Sequence, residues 1–270
     1  MCPVLSLGGI EVHAYALFTW LGAIAACAIA IPALMRRGWT LFHALALMMM
    51  MCAGFLIGAR LWNVMVNPGN FLSMPWYALK LAGLSLYGGL FGAVLVLLVY
   101  AKAAGKSVLS AMDALTVPGG VAFCLARIGC FLNGCCSGTW TKGPFGIVFP
   151  KEHVTSSLPS LLSFIGSEPV HPTQLYELVG AAAGLLAVVL LTRKYRRMDG
   201  VLFFSYAAVF SLVRLIVLPM RVLTYMPSVK NIVYPVIYSC IILVSAVGIR
   251  LLTRQNRAGI RRDCGHTGTI

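Results

Sequence analysis

Seven stretches of this chain are apolar over about the 20 residues that cross a bilayer core as a helix. They lie at roughly 13–35, 43–66, 84–101, 110–132, 173–192, 200–219 and 232–253. Composition agrees, with 60% hydrophobic and 10% charged residues, against about 25% charged in a soluble domain. The expected fold is all-α, a polytopic membrane protein with about seven transmembrane helices, in a single integral membrane domain over 1–270. There is no internal repeat and no low-complexity segment. The longest loop, about 133–172, is too short for a core of its own. Gly54/Gly58, Gly88/Gly92 and Gly180/Gly184 are small-x-x-x-small pairs that let membrane helices approach closely.

Basic residues orient the spans. Thirteen fall after spans 1, 3, 5 and 7: Arg36, Arg37, Lys102, Lys106, Arg193, Lys194, Arg196, Arg197, Arg250, Arg254, Arg257, Arg261 and Arg262. Five fall on the other side: Lys80, Lys142, Lys151, Arg221 and Lys230. The positive-inside rule places the thirteen in the cytoplasm. The N-terminus is therefore expected outside and the C-terminus inside, with 254–270 a basic cytoplasmic tail and the 133–172 loop external. This distribution accounts for the net charge of +14 without nucleic acid, which is not an expected partner. No Lys or Arg precedes the first apolar run, so the pattern is not that of a cleaved secretory signal.

Three arginines remain, Arg60, Arg127 and Arg214, within or at the ends of apolar spans. An arginine there costs at least about 2.5–3.5 kcal/mol on insertion scales and normally faces a cavity or a partner. Carboxylates near span ends are few: Glu11, Asp113 and Glu177. The imbalance points to an anionic ligand, and the abundant anion of a membrane is lipid phosphate, which the planar arginine fork grips with two hydrogen bonds. Snorkelling or structural pairing is the alternative for each. Arg127 and Asn133 lie near the end of span 4, and a helix that breaks at Gly134 would turn both into one cavity. Arg214 and Arg221, seven apart, share a face of span 6, with Pro219 between them to end or kink it. At the start of span 5, "HPTQLYE" (171–177) brings Gln174, Tyr176 and Glu177 into the entry of an apolar run. Of nine cysteines, Cys27, Cys52, Cys124 and Cys240 sit inside apolar runs as small hydrophobes. Cys130, Cys135 and Cys136 instead cluster around the end of span 4, beside Arg127.

"HPTQLYE" closely resembles a signature of the prolipoprotein diacylglyceryl transferase family. "ARIGCFLNGCCSG" is similar to that family's arginine-and-asparagine signature, and "GLSLYGGLFG" (83–92) to its glycine-rich third-span motif. "IEVHAYAL" (10–17) resembles its N-terminal stretch with His and Tyr. The resemblance covers nearly the whole chain, in order. It implies a multi-pass protein of the bacterial inner membrane. It also implies a reaction: transfer of a diacylglyceryl group from phosphatidylglycerol to the cysteine thiol of a prolipoprotein signal peptide, with glycerol phosphate leaving. Arg127 and Arg214 match the family's essential arginines. Tyr15, Asn133, Gly138 and the 171–177 stretch match further functional or signature positions.

The departures are specific. The third-span histidine, given a catalytic role in the family, is here Tyr87. Cys130 stands where asparagine is usual, and Cys135 where glutamate is. Phe210 replaces a tyrosine and Leu218 a glutamate. Four readings of the cysteines stay open. They are plain substitutes, a nucleophile at Cys135 or Cys130 activated by Arg127, a disulfide of Cys130 with one of the other two, or a metal site with His171 or His153. The spacing matches no standard metal-ligand pattern, so neither a metal nor a cofactor is expected.

The expected catalytic residues are Arg127, Arg214, Tyr87 and Cys135. The expected substrate-binding residues are Tyr15, His13, Asn133, Gly138, Cys130, Gln174, Tyr176 and Arg221. His13 and Tyr87 are candidates for the work of the missing histidine. The chain is expected to act as a monomer. Two other functions fit the same residues: a related lipid transferase with a different acceptor working through Cys135 or Cys130, and a non-catalytic lipid-binding or thiol-redox membrane protein.

Overall fold

A computed structural model describes residues 4–7, 10–66, 85–149, 168–195, 198–222 and 228–266. Seven helices are long and apolar enough to cross a membrane. They are α1 Ala14–Met35, α2 Leu41–Val66, α3 Leu86–Ala103, α4 Val108–Leu132, α5 Thr173–Leu191, α6 Val201–Val217 and α7 Tyr234–His266. Their limits fall within about three residues of the apolar runs, except that α7 continues as one helix through the basic segment to His266. Phe42, Met49, Phe91 and Leu191 are among many exposed large apolar side chains, the surface of a protein solvated by lipid rather than water.

The fold is all-α, as expected, with one short addition at its start. Two short antiparallel strands, β1 Val4–Leu7 and β2 Ile10–His13, pair ahead of α1, with Leu7 opposite Ile10. Four residues are too few to register as an apolar run. The hairpin's sequence signal is Gly8-Gly9 between two alternating segments.

The glycine pairs are the tightest crossings. A Cβ on Gly58 would run into the Gly88 carbonyl, and one on Gly92 into that of Gly54, so α2 and α3 touch backbone to backbone. Gly180 and Gly184 make room in the same way for Val213 and Val209 of α6. Packing of this kind takes the place of the hydrophobic drive that lipid does not supply.

The loops after α1, α3 and α5 meet at one end of the bundle. Arg37 pairs with Asp199 at 2.8 Å and donates to Ser110 at 2.9 Å. Lys106 donates to the Gly38 carbonyl at 2.6 Å. Asp113 is committed here too: its carboxylate accepts from the backbone of Gly200 and Phe203, both at 2.8 Å, and so caps α6. It is therefore no partner for Arg127 or Arg214. A core of Leu34, Trp39, Leu47, Leu97 and Met112 fills this end. Lys80, Lys151, Arg196 and Arg197 of the charge count lie outside the described residues, as do loop positions 150–167.

Candidate active site

At the opposite end, three helix termini and a loop bring charged groups together in a largely apolar molecule. The C-terminal turn of α4 carries Arg127 and Cys130. Asn133 caps that helix, and Gly134, at φ 71°, turns the chain out of it. The first turn of α5 carries Gln174 and Glu177. The last turn of α6 carries Arg214, after which Leu218–Met220 tightens into a 3₁₀ turn around Pro219 and delivers Arg221.

Glu177, 1% exposed, is the hub. Arg214 Nη1 pairs with Glu177 Oε1, and Arg221 Nη1 reaches the same oxygen at 2.9 Å. Arg127 Nε lies 2.8 Å from Oε2, an ion pair rather than an aligned hydrogen bond. Three guanidiniums thus share one carboxylate, which leaves two positive charges over. Burial, then the neighbouring Arg214, push the Arg221 guanidinium below its ordinary value, and Glu177 opposes them. Lys230 adds a further cation close by, donating to the Arg221 carbonyl at 2.6 Å. Arg127 also lies over the Phe123 ring at 4.9 Å, and Phe210 packs edge-on against that ring.

Tyr87, on the first turn of α3, accepts from Arg214 Nε at 2.6 Å. Its ring packs against Tyr234 and Tyr238 of α7 at 5.3 and 5.4 Å. Leu218 belongs to the same buried cluster. Two positions at which the sequence differs from the pattern it resembles, Tyr87 and Leu218, are therefore neighbours although 131 positions apart in the chain, and they make one phenolic, apolar wall behind Arg214. Tyr234 and Tyr238 were not legible as site residues, because tyrosine in an apolar span reads as an interface anchor.

The cysteines form the other wall. The three sulfurs of Cys130, Cys135 and Cys136 all lie within 4.8 Å of one another, and Arg127 Nη1 is 4.0 Å from Cys130 Sγ. Cys130, Cys135 and Cys136 are unbridged in this structure. The loop is clamped from α5: Gln174 Nε2 donates to the Cys135 carbonyl at 2.7 Å and Thr173 Oγ1 to the Cys136 carbonyl at 2.8 Å. Asn133 reaches the Cys135 side chain. Hydrogen bonds from Cys130 and Cys135, then the Arg127 and Arg221 charges, hold the Cys136 thiol well below the ordinary value. Cys135 moves the other way, to about 11: the bond with Cys130 pulls it down, but the bond with Cys136, burial and the Cys136 charge together outweigh that.

The remaining predicted residues divide. Tyr15, on the first turn of α1, is an electrostatic neighbour of the three thiols. The backbone of Tyr15 packs where Gly129 leaves space. Gly138 acts through its backbone. Its N–H donates to the His171 carbonyl at 2.7 Å, and a Cβ there would strike His171 and the Met220 carbonyl. Gln174 Oε1 is buried with no hydrogen-bond partner among the described residues. His171 and Tyr176 hydrogen-bond each other at 3.3 Å. They line an apolar groove of about 400 Å³ with Phe145, Val213, Val217 and Met220. The exposed His13 side chain makes no ion pair or hydrogen bond among the described residues. His153 lies outside them, and Arg60 is half-buried on α2.

Comparison with known proteins gives one answer. The profile of the family described as "Prolipoprotein diacylglyceryl transferase" matches residues 3–252. A phosphatidylglycerol–prolipoprotein diacylglyceryl transferase of Clostridium tetani is 30% identical over 221 residues, covering 80% of this chain and 84% of the relative. One of Geobacter sulfurreducens is 33% identical over 218 residues, 78% of each chain. One of Salmonella arizonae is 31% identical over 215 residues, 73% of each.

Proposed function

Given that the chain belongs to the prolipoprotein diacylglyceryl transferase family, as a multi-pass protein of the bacterial inner membrane, we propose that it moves a diacylglyceryl group from phosphatidylglycerol to the cysteine thiol of a prolipoprotein. The site faces the outside, with the N-terminus outside and the C-terminus in the cytoplasm, as the basic loops favour. One chain supplies every group described, which fits action as a monomer.

The observation that carries this reading is the convergence of Arg127, Arg214 and Arg221 on Glu177. A phosphodiester in the bound lipid carries one negative charge. As the glyceryl carbon–oxygen bond breaks, the electron pair stays on the phosphate oxygen and the departing glycerol phosphate gains a second charge. Two uncompensated guanidinium charges match that product better than the starting lipid. A site that meets charge as it develops lowers the barrier rather than merely binding substrate.

The other residues supply position. Glu177 holds three arginines close that would otherwise repel one another. Tyr87 and the Tyr234–Tyr238 pair keep Arg214 in one orientation. The apolar groove beside α6 suits an acyl chain, and the unpartnered Oε1 of Gln174 offers an acceptor to an incoming hydroxyl or thiol.

The test is expression in a bacterium depleted of its own transferase. The expected result is lipid-modified, processed lipoprotein and restored growth. Accumulation of unmodified prolipoprotein, with the chain stably in the membrane, would refute the reading.

A further inference from the structure

We infer that Cys130, Cys135 and Cys136 hold a thiophilic divalent ion, zinc, and that its open coordination position takes the acceptor cysteine. The second half rests on the transfer reading above.

The geometry comes first. With no two sulfurs more than 4.8 Å apart, one point lies within about 2.8 Å of all three, and a zinc–thiolate bond is about 2.3 Å. Closing that gap takes about half an ångström from each side chain. The loop is already set for it. Cys136 is the one non-glycine among the described residues with positive φ, at 64°. That conformation is costly for any side chain and collects at functional sites. Glycine would adopt it freely, yet the position carries the sulfur that completes the triangle. Buried Thr173 and Gln174 pin the carbonyls of Cys136 and Cys135, so the sulfurs are aimed by the framework.

Charge supports the assignment. Three thiolates exceed a divalent ion by one negative charge, and the Arg127 guanidinium stands beside Cys130 to meet it, so with the ion bound one of the two charges left over by Glu177 faces the zinc site and the other stays for the lipid phosphate. The group contains no fourth His, Asp or Glu among the described residues. His171 is turned to Tyr176 and Glu177 is enclosed by arginines. Three protein ligands with one position open is the arrangement of a working zinc site, whereas a structural site closes all four.

The reaction has a use for that position. Thiolate, not thiol, is the nucleophile, and Tyr87, which accepts from Arg214, stands where the family has its histidine. A thiol that coordinates zinc is deprotonated outright, its proton passing to the aqueous phase. Its sulfur then attacks the glyceryl carbon and a carbon–sulfur bond forms. The carbon–oxygen bond breaks with its electron pair on the phosphate held by Arg127, Arg214 and Arg221. The thioether product is neutral, binds the ion weakly and departs.

The experiment uses the purified full-length chain, reduced, in detergent with phosphatidylglycerol. After exposure to zinc and removal of excess, about one ion should stay per chain, with at least about a tenfold lower content in the triple variant C130S/C135S/C136S. X-ray absorption should count three sulfurs at about 2.3 Å, and four once an acceptor cysteine peptide is added. If the triple variant fails to fold, cobalt(II) in the wild type gives the same answer through its thiolate charge-transfer absorption. Stripping zinc should slow transfer by about a hundredfold or more, and zinc should restore it. Wild type holding no more zinc than the triple variant would overturn the site, and so would cobalt without thiolate absorption. Metal-free protein that transfers at full rate would overturn zinc in the reaction while leaving the transferase reading intact. Zinc-loaded protein that keeps its three-sulfur signature but modifies no acceptor would uphold the site and refute the transferase reading.

Discussion

Arg214 donates its Nε–H to the Tyr87 hydroxyl at 2.6 Å and lays its guanidinium over the Tyr87 ring at 5.2 Å. The phenol thus engages the arginine twice, through an oxygen lone pair and through the ring face. A hydroxyl oxygen that accepts from a buried cation is poorly placed to take a proton from a thiol. Tyr87 is better understood as the group that fixes Arg214 against α3 than as a replacement base.

Tyr87→Phe separates the two contacts. The ring remains and the hydrogen bond to a charged group is lost, worth about 1.5–3 kcal/mol. If the bond orients Arg214 toward the leaving phosphate, kcat should fall by roughly ten- to a hundredfold with little change in KM. Steady-state transfer to an acceptor peptide reads this directly. An unchanged kcat would make the hydroxyl irrelevant to the reaction.

Arg127→Lys should not be conservative. An ammonium is a point charge and cannot hold Glu177 and a phosphate oxygen through separate, fixed N–H groups. Loss of one charge-assisted hydrogen bond, about 1.5–3 kcal/mol, corresponds to roughly a ten- to hundredfold lower transfer rate. A lysine variant with wild-type turnover would show that Arg127 serves only the fold.

Glu177→Gln removes the carboxylate that pairs with all three guanidiniums. Leaving buried charges uncompensated costs about 3–5 kcal/mol, so the melting temperature in neutral detergent should drop. Anionic phosphatidylglycerol should recover part of the loss and raise the variant's melting temperature more than the wild type's. Thermal unfolding with and without that lipid measures the difference. Equal shifts in both proteins would mean that the lipid phosphate does not enter the arginine cluster.

Much of this was legible in the sequence, for a physical reason. An apolar run of helix length has one stable fate in a bilayer, so the spans fall where hydropathy puts them. An arginine in such a run carries a cost that must be met, so Arg127 and Arg214 stood out. Glu177 was visible as one of three acids near span ends and as the last residue of the 171–177 stretch, but without its partners. Nothing in the chain says that Asp113 caps α6 while Glu177 gathers three arginines, because that depends on which helix ends share a face of the bundle. Likewise, Tyr87 and Leu218 read as separate substitutions until packing made them neighbours. The three cysteines were seen to cluster, but their spacing fits no ligand rule: the triangle is made by the left-handed turn at Cys136 and the clamps from α5, and neither leaves a spacing signature.

The thiols should differ in reactivity in a set order. Hydrogen bonds from Cys130 and Cys135, then Arg127 and Arg221, lower the Cys136 thiol, so its thiolate is present further down the pH scale than an ordinary cysteine's. Its alkylation rate should reach half its plateau below the roughly 8.5 of a free thiol. The Cys135 thiol is raised to about 11, so its rate should still be climbing at pH 10. In reduced, metal-free protein a small polar alkylating reagent should therefore modify Cys136 first at neutral pH, with Cys135 reacting only as the pH rises. Residue-resolved mass spectrometry between pH 6 and pH 10 distinguishes the two profiles. Equal rates would mean that the hydrogen bonds between the thiols do not persist in solution. Zinc added beforehand should suppress both reactions together, because a shared ion engages both sulfurs, whereas a reagent blocked only by crowding would ignore the metal.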